Sequence, residues 1–396
     1  MFRPMLQTAV LGLLLSGAII RTENVFAQEA AAVTPITVGQ EVNLYSKVLD
    51  EDRTLLIHLP DSYQTNVKKD YPVLYTLDGT THFKHMSGTV DWLSNQAARA
   101  PEMIVVAITN TQRGRDMTAS HNSGGADNFI KFIEKDVFSY VDNHYRTRDF
   151  RILAGHSMAG HLTLNVLEQK PNMFNAYVAM SPWFHQDRGK QSLVRMLKKK
   201  LGKQTYASKF VFVSIGDEER LKPKYDEFVS VLEDNAHHGL DWRSKVSLED
   251  DHMSIPSNTM NEALTFIFAS QRLSPESDVA KQGIPAIKRY YAKLSNEIYG
   301  YDIPAESAIN RLGFHLLRNQ QEEKAIKVFK QNIKEFPDSA NVHNSLAEAY
   351  RRTQKYNLAL IQINKAINIG EKVASPNTEW YKRRKQRIED AMKQSD

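Results

Sequence analysis

Phe150-Arg151-Ile152-Leu153-Ala154-Gly155-His156-Ser157-Met158-Ala159-Gly160 is the stretch on which the reading of this 396-residue chain turns. A short, mostly apolar run over 150–154 leads into Gly-x-Ser-x-Ala-Gly, and a helical pattern follows. A run of that length and composition suits a strand buried on both faces. A serine on the tight turn between such a strand and a helix sits in strained backbone geometry, with its hydroxyl presented for attack. Strand and helix press together at that turn, so the residues two before and two after the serine have to be small. Gly155 and Ala159 meet this demand, the second with alanine where glycine is commoner. Ser157 is therefore the candidate nucleophile.

Working outward, residues 42–48 and 53–59 read as a β-rich entry. Short apolar runs recur at 72–77, 103–109, 176–180 and 210–215, and a further strand pattern at 242–246. Helical patterns lie between them, notably at 128–144. Strands alternating with helices predict a doubly wound, mostly parallel α/β sheet. The composition shifts near 271–284, and beyond it only helical patterns occur. There Leu312, Gly313, Ala325, Phe329 and Pro337 are followed 34 residues on by Leu346, Ala347, Ala359 and Ile363, with Tyr350 and Ala366 in the second unit. That period and those small residues predict an all-α, tetratricopeptide-like pair of repeats. Residues 287–298 would connect and 379–392 would cap it. The expected division is 28–275 for the α/β domain, 276–302 for a linker and connecting helix, and 303–396 for the repeats.

Residues 1–27 read as a signal peptide: Arg3, an apolar segment over 6–20, and Val25-Phe26-Ala27 before Gln28. The mature protein is then expected in the periplasm or secreted, with no stable membrane span. Cysteine is absent, which excludes disulfides, thiolate metal sites and a cysteine nucleophile. The histidines show no ligand spacing, so neither a metal nor another cofactor is expected. A net charge of +5 over the whole chain is too small a surplus to predict a nucleic-acid partner.

A serine nucleophile needs a base, an acid and oxyanion donors. His156 adjoins Ser157, but neighbours on a tight turn point apart, and it reads as an elbow-shaping residue. His252, in Leu248-Glu249-Asp250-Asp251-His252-Met253, follows the last strand pattern and is the candidate base. The strand over 210–215 ends in Gly216-Asp217-Glu218-Glu219, which offers three carboxylates for the acid. Backbone amides of Met158 and of the loop Asp78-Gly79-Thr80-Thr81 are the candidate oxyanion donors.

Leu77-Asp78-Gly79, Arg113-x-Arg115-Asp116-Met117-Thr118, Gly124-Gly125, Phe129, the elbow itself, Ser181-Pro182-x-Phe and Asp251-His252 together resemble the esterase D-like family of α/β-hydrolases. Over roughly 40–270 the chain is similar to the branch of periplasmic siderophore (enterobactin-type) esterases. The resemblance implies Ser157 as nucleophile, His252 as base, and Gly79 or Thr80 with Met158 at the oxyanion. It places the acid three residues after the strand-ending glycine, at Glu219 rather than Asp217 or Glu218. Arg113 and Arg115 would border the cleft and meet an anionic substrate, or Arg115 would pair with Asp116. Trp183 would line the substrate side, or fill core. The expected activity is hydrolysis of a small-molecule carboxylic ester through an acyl-enzyme, the substrate being a siderophore trilactone or another acidic ester. A carbohydrate acetyl or feruloyl esterase is the alternative. From another class, the repeats would recruit a protein partner or self-associate, with the hydrolase as an inactive scaffold.

Overall fold

The computed structural model describes residues 34–394 apart from 120–123, 185–191, 202–205, 207, 237–238, 374 and 376. The signal-peptide expectation lies outside these residues. Residues 34–37 carry no regular secondary structure. Residues 38–396 form one compact unit.

Eight strands make one sheet: β1 (Gln40–Ser46), β2 (Glu51–His58), β3 (Tyr71–Thr76), β4 (Ile104–Ile108), β5 (Thr147–His156), β6 (Ala176–Met180), β7 (Lys209–Ile215) and β8 (Leu240–Val246). Their spatial order is β1-β2-β4-β3-β5-β6-β7-β8. The first two pairings, β1 with β2 and β2 with β4, are antiparallel, and the others are parallel. Every residue of β3, β4, β6 and β7 is buried, as continuous apolar strands covered on both faces should be. The carboxyl ends of β3, β5, β7 and β8 therefore share one edge of the sheet, and the loops leaving them can converge.

One face is covered by the helices over 126–144, Met158–Gln169 and Lys222–Asn235, with Phe132, Phe138, Phe174 and Phe228 in the core. The other carries Gly79–Asp91 and Ile255–Ile267, and there the tail begins to share the core. Tyr299 stacks on Phe210 and Phe268 and donates a hydrogen bond to the Ile267 carbonyl at 2.6 Å. Burying each such ring contributes roughly 1.5–3 kcal/mol. Beyond it, Glu306–Arg318 packs with Glu322–Glu335, Ala340–Arg352 with Tyr356–Lys372, and Thr378–Lys393 closes on the last of these. The small residues permit these approaches: a Cβ on Gly313 would lie 2.5 Å from the Phe329 ring. Among the described residues, no helix is long and apolar enough to cross a membrane.

Candidate active site

The strand-to-helix turn forms as the sequence requires. Ser157 joins β5 to Met158–Gln169 with φ 59° and ψ −118°, a backbone geometry costly for any residue but glycine. Gly155 is obligatory, because a Cβ there would stand 2.3 Å from the Ala159 carbonyl oxygen. Ala159 is fully buried, so its methyl fits where glycine is commoner. Hydrogen bonds pin the strained residue on both sides: Ser157 N donates to Met180 O at 2.9 Å, and Trp183 N donates to Ser157 O at 2.9 Å.

His252 reaches the elbow from the loop after β8. Asp251 shapes that loop by accepting from the amides of Met253 and Ser254, each at 2.8 Å. Asp217 N donates to Asp250 O at 2.7 Å, which ties the loop after β7 to it. The His252 ring lies against that of His156, the residue before Ser157, with centroids 4.6 Å apart.

The carboxylate that meets this histidine belongs to Glu218. Its Oε2 lies 2.5 Å from His252 Nδ1, and its Oε1 accepts from Ser181 Oγ at 2.5 Å and Gly216 N at 3.3 Å. Burial pushes the Glu218 carboxyl up, but the hydrogen bonds from His252 and Ser181 outweigh it and leave its pKa lowered. The choice of Glu219 is thereby corrected: the chain turns at Gly216-Asp217 so that Glu218 faces inward, while Asp217 and Glu219 are exposed. Glu219 instead lines, with Trp183, Glu218, Arg220, Leu221 and His252, a cavity of about 280 Å³.

The oxyanion candidates sit at two helix starts. Asp78 takes the left-handed conformation (φ 53°) and Gly79 opens the helix Gly79–Asp91. Thr81 N and His82 N donate to Asp78 O, so Gly79 and Thr80 hold the first amides without such a bond among the described residues. A Cβ on Gly79 would lie 2.9 Å from the backbone of Ala107 and Ile108. Met158 opens the helix after Ser157, and its dipole favours negative charge there.

The two arginines meet carboxylates of the chain itself, Arg115 pairing with Asp116 as one of the two expectations had it. Arg113 grips the buried Asp78 carboxylate with Nε and Nη2 at 2.7 and 2.8 Å, and its Nη2 also reaches His156 O at 3.5 Å. It thus ties the oxyanion loop to the elbow. Arg115 pairs with Glu51 at 2.7 and 3.0 Å and with Asp116 at 2.7 Å. A buried carboxylate needs a paired cation: Asp78 has Arg113, and Asp116 has the buried Arg53 at 2.7 Å beside Arg115. Ser181, quoted from sequence only within a motif, was missed as a partner of the acid. Its signal is positional, since it ends β6 beside the tip of β7, with Ser181 N donating to Ser214 O. Its φ of 39° is a further mark of constraint.

A mostly parallel, doubly wound sheet with a serine elbow, a late histidine and a carboxylate between them in the chain defines an α/β-hydrolase. Comparison with known proteins agrees. The family described as "Putative esterase" matches residues 46–253, more than half of the chain, and the chain belongs to it. It is 29% identical over 176 residues to the ferri-bacillibactin esterase BesA of Bacillus subtilis (strain 168), covering 37% of this chain and 59% of that protein. It is 30% identical over 128 residues to the siderophore triacetylfusarinine C esterase of Aspergillus fumigatus, covering 28% and 44%. The chain thus spans about three fifths or less of these curated relatives. An IroE-like serine hydrolase from Shewanella oneidensis has a similar solved structure, with a TM-score of 0.63, 25% identity, and 75% of this chain and 99% of that one covered.

Proposed function

We propose that this protein is a serine esterase that hydrolyses carboxylic esters through an acyl-enzyme on Ser157. The observation that carries the reading is the 2.5 Å contact between Glu218 and His252 Nδ1 beside the strained Ser157 turn. With Nδ1 held by the carboxylate, Nε2 is the nitrogen left to take the Ser157 Oγ proton. Oγ attacks the ester carbonyl carbon, and the developing oxyanion takes hydrogen bonds from the Met158 amide and from Gly79 or Thr80. Collapse expels the alcohol, which receives the proton from His252. Water, activated by the same imidazole, then releases the acid and regenerates Ser157.

The substrate class we favour is an ester-linked siderophore. Two relatives bear that description, and a cavity walled by Trp183 and Leu221 adjoins His252. The internally paired arginines lend this choice no support, so it rests on the relatives and the cavity. Residues 1–27 are read as a signal peptide, the site of action as periplasmic or extracellular, and 303–396 as tetratricopeptide-like repeats. Hydrolysis of p-nitrophenyl acetate by wild type and Ser157→Ala tests the activity. Wild type is expected to turn over and the variant to lose at least about a thousandfold; equal rates would overturn the proposal.

A further inference from the structure

Four histidines form a row that begins at the base. The His252 ring lies against His156 at 4.6 Å, and His156 meets the His82 ring edge-on at 5.7 Å and 89°. His82 Nδ1 shares a 2.8 Å hydrogen bond with His85 Nε2. His82 and His85 are one turn apart on the helix Gly79–Asp91, which opens at the oxyanion glycine. His156 is therefore in ring contact with both the base and the helix that opens at Gly79. Its Nε2 is buried without a hydrogen-bond partner among the described residues.

The row is an expensive way to fill space. His82 and His156 are 3% and 5% exposed, and His85 Nδ1 is also buried and unpartnered among the described residues. Aliphatic side chains would pack such a site without orphaned nitrogens. Histidine rings instead offer flat faces at fixed orientations, and a bond by which one imidazole fixes the next, as His85 does for His82. The charged and titratable groups facing the row are Asp78 and Arg113 beside His82, and Asp78 and His252 beside His156. Burial, then the neighbouring His252, pushes His156 down to about 4; burial, then His82, pushes His85 to about 4 as well. Burial lowers His82 as well, so these three rings are biased toward the neutral form beside a base that becomes a cation during turnover.

We propose that His82 and His156 are positioning residues, in which the His82 ring props His156 and the His156 ring holds the imidazole of His252 against the elbow. The proposal rests on the esterase reading above. The test uses the full chain with His82→Ala, which removes the prop, and His82→Phe, which restores a ring. With p-nitrophenyl acetate, His82→Ala is expected to lower kcat about tenfold with KM nearly unchanged, as a misplaced base would. His82→Phe is expected to recover most of kcat. Histidine-ring NMR gives a second readout: with the prop gone, His156 is solvated and its pKa should rise by about a unit or more. A folded His82→Ala with wild-type kcat and an unmoved His156 titration would overturn the proposal. So would His82→Phe as impaired as His82→Ala. If His82→Ala does not fold, His82→Leu takes its place, with the same contrast to His82→Phe expected. If wild type hydrolyses no ester, the esterase reading falls, and the NMR titration still decides this inference.

Discussion

Glu218→Gln isolates the contribution of the acid. The side chain keeps its shape and loses its charge, while His252 Nδ1 keeps an oxygen to face. The 2.5 Å contact sets the carboxylate and the ring charge that forms in the transition state about 4 Å apart, centre to centre. At an effective dielectric of about 20, such a pair interacts by about 4 kcal/mol. At about 1.4 kcal/mol per decade, kcat should fall roughly a thousandfold. KM for p-nitrophenyl acetate should change little, since Glu218 meets His252 and not the reacting ester. Glu219→Gln, at an exposed carboxylate on the cavity wall, should stay within about twofold of wild type in kcat. Steady-state kinetics on the three proteins at neutral pH decide it. A large loss in Glu219→Gln beside a near-normal Glu218→Gln would refute the reasoning and return the acid to the residue chosen by resemblance.

Arg113→Ala should lower stability by about 3 kcal/mol, because it strands the buried Asp78 carboxylate. Neutral and acidic esters should then suffer alike in kcat/KM, whereas a substrate-binding arginine would favour loss of the acidic ones. Gly155→Ala should cost about 3 kcal/mol in a urea melt, since its Cβ would collide with the Ala159 carbonyl at 2.3 Å. In the tail, Glu348 is enclosed by Arg351, Arg352 and Arg384. Burial pushes its carboxyl up, but hydrogen bonds from Arg351 and Arg352 win and bring it to about 2. A carboxylate with a lowered folded pKa stabilises above its unfolded value and loses that effect as pH falls through the folded one. The melting-temperature gap between wild type and Glu348→Gln should therefore be full above about pH 5 and shrink toward pH 2.

Much of the fold was legible because buried parallel strands advertise themselves as continuous apolar runs. The run at 176–180 coincides with β6, and those at 72–77, 103–109 and 210–215 lie within a residue of β3, β4 and β7 at each end. Ser157 and His252 were legible because each follows a strand whose end the pattern marks. Glu218 was not, since the choice among adjacent carboxylates depends on how the chain turns after Gly216, and a count of residues carries no torsion angles. The pair of Arg115 with its neighbour Asp116 was legible, but Asp78 of Arg113 and Glu51 of Arg115 lie 35 and 64 residues away and were not. The same applies to the tail. Its helices could be read from their period, but the stacking of Tyr299 on Phe210 and Phe268 depends on contacts between distant parts of the chain. The row from His252 to His85 draws on three separate segments of the chain and shows itself only when the helix Gly79–Asp91 is laid beside the elbow.

Covalent trapping asks whether Ser157 itself takes the acyl group. The full chain is treated with a fluorophosphonate, digested, and the adduct located by mass spectrometry. A single adduct is expected on the peptide containing Ser157, absent from Ser157→Ala and strongly slowed in His252→Ala. Labelling of another residue, or an equally labelled Ser157→Ala, would contradict Ser157 as the nucleophile.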